Sequence, residues 1–208
     1  MPIEASRWKK WLRHGYGKLI NHKNGSFYEG EFVRNRKHGQ GRLTIRLQNG
    51  TMQRYYVGQW ENDQMNGYGT LYFSETRYYE GEFYRNQRHG WGRMHYDNGD
   101  VYEGDWFNNQ RHGSGRLLTI RGDCYNGHWF EDKKHGYGQY YFKKQNRMCT
   151  GLWSDDFCKS SECTQLLNKE HHTRLTMSVE EREEEEEEEE TPAIQQVGNA
   201  MQQQTENR

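Results

Sequence analysis

One five-residue phrase, Tyr-x-Gly-x-aromatic, recurs along most of this 208-residue chain and leaves little freedom in what the chain can fold into. It reads "YEGEF" at 28–32, "YVGQW" at 56–60, "YEGEF" at 79–83, "YEGDW" at 102–106 and "YNGHW" at 125–129, with a worn copy, "CTGLW", at 149–153. Nine residues after each central glycine of the five intact copies stands Gly-x-Gly, at Gly39/Gly41, Gly67/Gly69, Gly90/Gly92, Gly113/Gly115 and Gly136/Gly138. Counting back nine from Gly15/Gly17 reaches "SRW" at 6–8, a degraded first copy. The copies recur every 23 to 28 residues, so seven repeats of one supersecondary unit occupy residues 6–165.

Alternation within each copy marks strands, and strand parity converts the repeat into a register. Tyr79, Gly81 and Phe83 share one face, because side chains alternate with a period of two. A four-residue loop from Arg85 to Arg88 predicts Phe83 opposite Gly90, Gly81 opposite Gly92 and Tyr79 opposite Met94. The next turn, "DNG" at 97–99, reads as a three-residue hairpin loop with Gly99 left-handed. It predicts Gly92 against Gly104, Gly90 against Trp106 and Met94 against Tyr102.

Three lanes then cross the sheet: Tyr with Leu or Met, glycine alone, and aromatic alternating with glycine. The glycine lane comprises Gly30, Gly41, Gly58, Gly69, Gly81, Gly92, Gly104, Gly115, Gly127 and Gly138. Leu, Ile, Val and Phe number only 29, too few for an aliphatic core, whereas Tyr, Trp and Phe number 30. A glycine costs roughly 0.5–1 kcal/mol in strand entropy. A ring laid flat in the trough it leaves returns about 4–6 kcal/mol, so the exchange favours folding.

On the opposite face the same register pairs Glu29 with Arg42, Glu80 with Arg93 and Glu103 with Arg116. Where the acid is missing the base is missing too, since Val57 faces Thr70 and Asn126 faces Gln139. In the last copy Ser160 and Glu162 replace the glycines, as suits a terminal repeat that closes an edge. Residues 166–190 read as a capping helix, with Leu167, His171, Leu175 and Val179 four apart, followed by a Glu-rich segment. Residues 191–208 have the composition of a disordered tail.

Charge is divided unevenly: residues 171–208 carry a net of −8 and the remainder +7. The absence of an apolar leader or long apolar run, with four irregularly spaced cysteines (Cys124, Cys149, Cys158 and Cys163), predicts a soluble intracellular protein with reduced thiols. A histidine precedes Gly-x-Gly at His14, His38, His89, His112 and His135. Copies two strands apart lie about 9.6 Å from one another, too far to share one metal ion. Cys158, Cys163, His171 and His172 fit zinc spacing poorly, so neither a metal nor a cofactor is expected. No nucleophile–base pattern or phosphate loop stands out, and the expectation is a protein that is not an enzyme.

The connections between the aromatic phrase and His-Gly carry Arg34, Arg36, Lys37, Arg85, Arg88, Arg111, Lys133 and Lys134. They predict a basic loop edge, interrupted by the acidic "ENDQMN" at 61–66. An acidic protein segment fits such an edge best, whether the glutamate-rich tails of tubulin or the chain's own Glu183–Glu190. Anionic membrane ranks second, and nucleic acid third, because the aromatics that would stack on bases are needed in the core. Homodimerisation through the ribbon ends is left open.

The registered copies resemble the MORN-repeat family, whose consensus runs close to Tyr-x-Gly-x-Trp/Phe followed by His/Asn-Gly-x-Gly. The resemblance covers about three-quarters of the chain. It implies an all-β fold: one elongated, twisted antiparallel sheet of stacked hairpins, here with a short C-terminal helix and a disordered acidic tail. It further implies a non-enzymatic scaffold for cytoskeletal or axonemal assembly in sperm or motile cilia, placed in cytoplasm, cilium or flagellum. Acrosome or manchette is the alternative placement. Peripheral binding to phosphoinositide-bearing acrosomal or plasma membrane is the alternative function.

Overall fold

The computed structural model describes residues 12–166. The chain divides into two units, Met1–Thr164 and Gln165–Arg208, and the sheet belongs almost wholly to the first. The degraded copy at 6–8, the expected helix and Glu-rich segment after residue 166, and the tail at 191–208 lie outside the described residues.

Thirteen strands form one antiparallel sheet in sequence order. They are β1 (Gly15–Ile20), β2 (Phe27–Val33), β3 (Arg36–Arg46), β4 (Met52–Glu61), β5 (Gln64–Tyr72), β6 (Tyr78–Tyr84), β7 (Gln87–His95), β8 (Val101–Phe107), β9 (Gln110–Leu118), β10 (Cys124–Phe130), β11 (Lys133–Phe142), β12 (Arg147–Ser154) and β13 (Phe157–Gln165). A single 3-10 turn, Lys143–Gln145, is the one helical element among the described residues.

The lanes run as the parity argument requires. Tyr79 pairs with Met94 and Gly81 with Gly92, then Met94 with Tyr102, Gly92 with Gly104 and Gly90 with Trp106. Gly17, Gly30, Gly41, Gly58 and Gly69 continue the glycine row on one side. Gly115, Gly127, Gly138 and Gly151 continue it on the other. Into this trough lie Tyr28, Tyr56, Tyr79, Tyr102 and Tyr125, all fully buried.

Each tyrosine hydroxyl donates to the carbonyl three residues on, as Tyr79 does to Glu82 at 3.0 Å and Tyr102 to Asp105 at 3.1 Å. A buried hydroxyl without a partner would be costly, and the repeat supplies that partner locally. Burial pushes all five hydroxyls far above the ordinary phenol pKa. Neighbouring rings meet edge to face in an unbroken zigzag, including Tyr56–Phe83 at 5.2 Å, Phe83–Tyr79 at 5.1 Å and Tyr79–Trp106 at 5.2 Å. Indole N–H groups of Trp60, Trp106 and Trp129 donate to the carbonyls of Gly41, Gly92 and Gly115.

The turns differ from expectation. Phe83 faces Arg88 and Tyr84 faces Gln87, so the loop is two residues long instead of four. Arg85 and Asn86 both have left-handed φ, at 49° and 68°, and the other hairpins repeat this from Arg34–Asn35 to Asp155–Asp156. Such turns match the natural twist of paired strands. The surplus residues, His89 to Trp91, bulge opposite Glu82, whose Oε1 accepts the Trp91 amide at 3.1 Å. Glu31, Gln59 and Asp105 hold the equivalent bulges in the same way.

Left-handed arginine in a turn is strained, and a contact across the ribbon offsets the cost. Asn86 donates its amide to the Met65 carbonyl at 2.9 Å, and its Oδ1 accepts the Met65 amide at 2.8 Å. The same two-way clasp joins Asn35 to Arg13 and Asp63 to Lys37. It recurs from Asn109 to Arg88, Asp132 to Arg111 and Asp156 to Lys134. The second turn residue is therefore always Asn or Asp.

Two further expectations change. Glu29–Arg42 and Glu103–Arg116 form ion pairs at 2.9 and 3.0 Å, but Arg93 bridges to Glu103 at 2.6 Å, while Glu80 remains its register partner. Cys149 and Cys163 are joined by a disulfide between β12 and β13, so these two thiols are not the reduced groups the spacing suggested. Cys124, buried, and Cys158, exposed, lie outside that disulfide.

Candidate partner-binding surface

The eight basic residues expected on a common loop edge separate into two sets. Lys37, Arg88, Arg111 and Lys134 are strand residues on the inner face, half-buried over rings. Arg88 lies 4.2 Å from the Trp106 ring centroid and Arg111 4.2 Å from that of Trp129. Lys37 sits 4.5 Å from Trp60, and Lys134 is 5.1 Å from Trp153. These contacts satisfy much of each cation within the fold: Arg88 donates to the Asn109 carbonyl, and Arg111 also pairs with Asp132 at 3.1 Å. Burial pushes the Lys37 and Lys134 ammonium groups and the Arg88 guanidinium below their ordinary pKa.

Arg34, Arg36, Arg85 and Lys133 are exposed at the turns. Arg85 stacks on Tyr84 at 5.0 Å, and Lys133 pairs with Asp155 at 3.3 Å. The first turn residues run from Arg34 through Asn62 and Arg85 to Asn108, then Glu131 and Asp155. That edge is basic at one end, mixed in the middle and acidic at the other.

A second surface went unnoticed in the sequence. Tyr84, Phe107 and Phe130 are the outward neighbours of the core aromatics in three consecutive hairpins, and each is about half exposed. Histidines stand between them, giving Tyr84–His89–Phe107–His112–Phe130–His135 with centroid spacings of 5.8, 5.2, 5.7, 5.2 and 5.8 Å. The signal in the sequence is an aromatic directly after "GEF", "GDW" and "GHW", together with the histidine before each Gly-x-Gly. No group of three or more metal-ligating residues occurs among the described residues. No helix there is long and apolar enough to cross a membrane.

The family profile described as MORN repeat matches five segments, 28–46, 56–75, 79–101, 102–123 and 125–147, together just over half of the chain. The chain belongs to the MORN-repeat family. Each match begins at the tyrosine that fills the glycine trough of its hairpin. MORN repeat-containing protein 3 of Xenopus laevis is 38% identical over 71 residues, 34% of this chain and 30% of that relative. The chain thus spans under a third of the length of the relative it matches. MORN repeats are in general non-catalytic modules, and the β-hairpin reading of the copies agrees with the observed sheet.

Proposed function

We propose that this MORN-repeat protein is a non-enzymatic scaffold that assembles protein complexes on the cytoskeleton of sperm or motile cilia, axonemal or manchette structures among them. The observation carrying the scaffold role is the repetition of outward side chains at one-hairpin intervals along a single-layer sheet, as in Tyr84, Phe107 and Phe130. A partner that is itself extended or repetitive can engage several equivalent rungs at once, gaining avidity from modest individual contacts. The cellular placement follows the family resemblance in the repeats.

The mixed sign of the turn tips argues against the membrane alternative. A flat anionic surface would meet Glu131 and Asp155 along with Arg34 and Arg85. Proximity labelling in spermatogenic or ciliated cells, with detergent extraction of axonemes, tests the scaffold. Retention with the extracted cytoskeleton is expected, whereas loss into the detergent fraction with flotation on phosphoinositide liposomes would favour the membrane reading.

A further inference from the structure

The outer-face ladder has a period that few polypeptide conformations match. Equivalent rungs recur every second strand, about 9.6 Å apart. An α-helix repeats at about 5.4 Å and a β-strand presents one face about every 6.8 Å, so neither stays in step over three rungs. Polyproline II advances about 9.3 Å per three-residue turn. Over three rungs its accumulated mismatch is under about 1 Å, well within side-chain adjustment.

Chemistry agrees with spacing. Phe107 and Phe130 are 50% and 48% exposed, presenting ring faces of the kind on which proline rings pack. The imidazoles between them wall the rungs, with His112 within 5.7 Å of Phe107 and 5.2 Å of Phe130. Trp91 is 37% exposed on the same face and offers an indole N–H to an unpaired peptide carbonyl. Charge is complementary to a cationic ligand. Glu82 and Asp105 are exposed two residues before Tyr84 and Phe107, and Glu131 follows Phe130. Of the nearby cations, Arg111 pairs with Asp132 and Lys133 with Asp155. Arg85 lies 5.0 Å over the Tyr84 ring at one end of the ladder, leaving Phe107 and Phe130 as the rungs free of a stacked cation.

We propose that the ladder from Tyr84 to His135 docks an extended, proline-rich segment bearing Arg or Lys, taken up one polyproline turn per hairpin. These 208 residues hold two prolines, Pro2 and Pro192, and no proline-rich run, and the occupant proposed is a segment of a partner protein. The inference rests on the scaffold reading and names the surface through which it acts.

The test uses the full chain and a labelled peptide of three Pro-Pro-Arg units, read by fluorescence anisotropy. Saturable binding is expected, weakened about tenfold or more by Phe107→Ser with Phe130→Ser. Three Ala-Ala-Arg units should bind much more weakly. An unchanged melting curve shows that the double variant still folds, and a single Phe130→Ser variant serves if it does not. The proposal is overturned by absent binding, by equal binding of the double variant, or by equal binding of the alanine peptide, which would mean charge alone. It also fails if sedimentation shows that the double substitution merely dissociates a dimer, making the ladder a self-interface. Cytoskeletal retention separates the two readings: retention of the double variant at wild-type level overturns the ladder alone, and loss of retention by the wild type overturns the scaffold alone.

Discussion

Replacing Gly92 with alanine adds one carbon, and the place it would occupy is already filled. An ideal Cβ there lies no more than 2.5 Å from the hydroxyl and two ring carbons of Tyr79. Gly92 has no positive φ, so alanine suits its backbone and the clash acts alone. Moving the Tyr79 ring endangers its edge-to-face contacts with Phe83 and Trp106 and its hydrogen bond to the Glu82 carbonyl. The ring contacts are worth about 0.5–1.5 kcal/mol each. A buried hydroxyl left unpaired costs about 1–3 kcal/mol, and overpacking adds a comparable amount.

Against this, alanine restricts the unfolded chain and returns only about 0.4–1 kcal/mol. Those costs less that return give an expected destabilisation of about 2–9 kcal/mol, a fall of at least about 4 °C in Tm for a chain of this size. Because each hairpin touches mainly its neighbours, hydrogen exchange should quicken in β6 to β8 before β11 and β12. Tryptophan fluorescence melting is the assay, with Tyr79→Phe as a milder control that removes the hydroxyl alone. A Tm unchanged in Gly92→Ala would refute the trough as the basis of the fold.

Four other outcomes follow from the geometry. Arg88→Met should lose about 1–3 kcal/mol in thermal melting, through its ring contact and its bond to the Asn109 carbonyl, whereas Arg34→Ser and Arg36→Ser should stay within about 0.5 kcal/mol. Asn86→Ala should cost about 1–3 kcal/mol in denaturant unfolding by removing the Met65 clasp, with Asn86→Gly recovering only the conformational part. Reductant, or Cys163→Ser, should lower stability by about 3 kcal/mol through the freed 14-residue separation, and a Tm indifferent to reductant would contradict the bond. The pKa of the five trough tyrosines is raised in the folded state, so the stability they contribute is complete below the ordinary phenol value. It should fall as pH climbs above about 10, with tyrosinate absorbance for these five appearing only on unfolding.

The lanes were legible because they rest on two local facts, a side-chain period of two and a repeat whose phrases keep a constant separation. Those suffice to queue Gly81, Gly92 and Gly104 and to lay Tyr79 beside them. The turn geometry was not legible, because Arg85–Asn86 lacks the glycine that usually announces a tight left-handed turn. Its conformation is held by a clasp to Met65, 21 residues away, and no local pattern reports a contact at that distance.

That one difference relocates function-bearing charge. Shortening the loop by two residues carries Arg88, and by repetition Lys37, Arg111 and Lys134, from a presumed edge onto the inner rings. It also brings His89 and His112 between Tyr84, Phe107 and Phe130 and sets His135 beyond Phe130, making a continuous surface from residues that are five and eighteen positions apart in the chain. Alternation along a strand specifies which face a side chain takes. Which neighbours it meets there depends on pairing across strands, and that follows from turns braced by the adjoining hairpin.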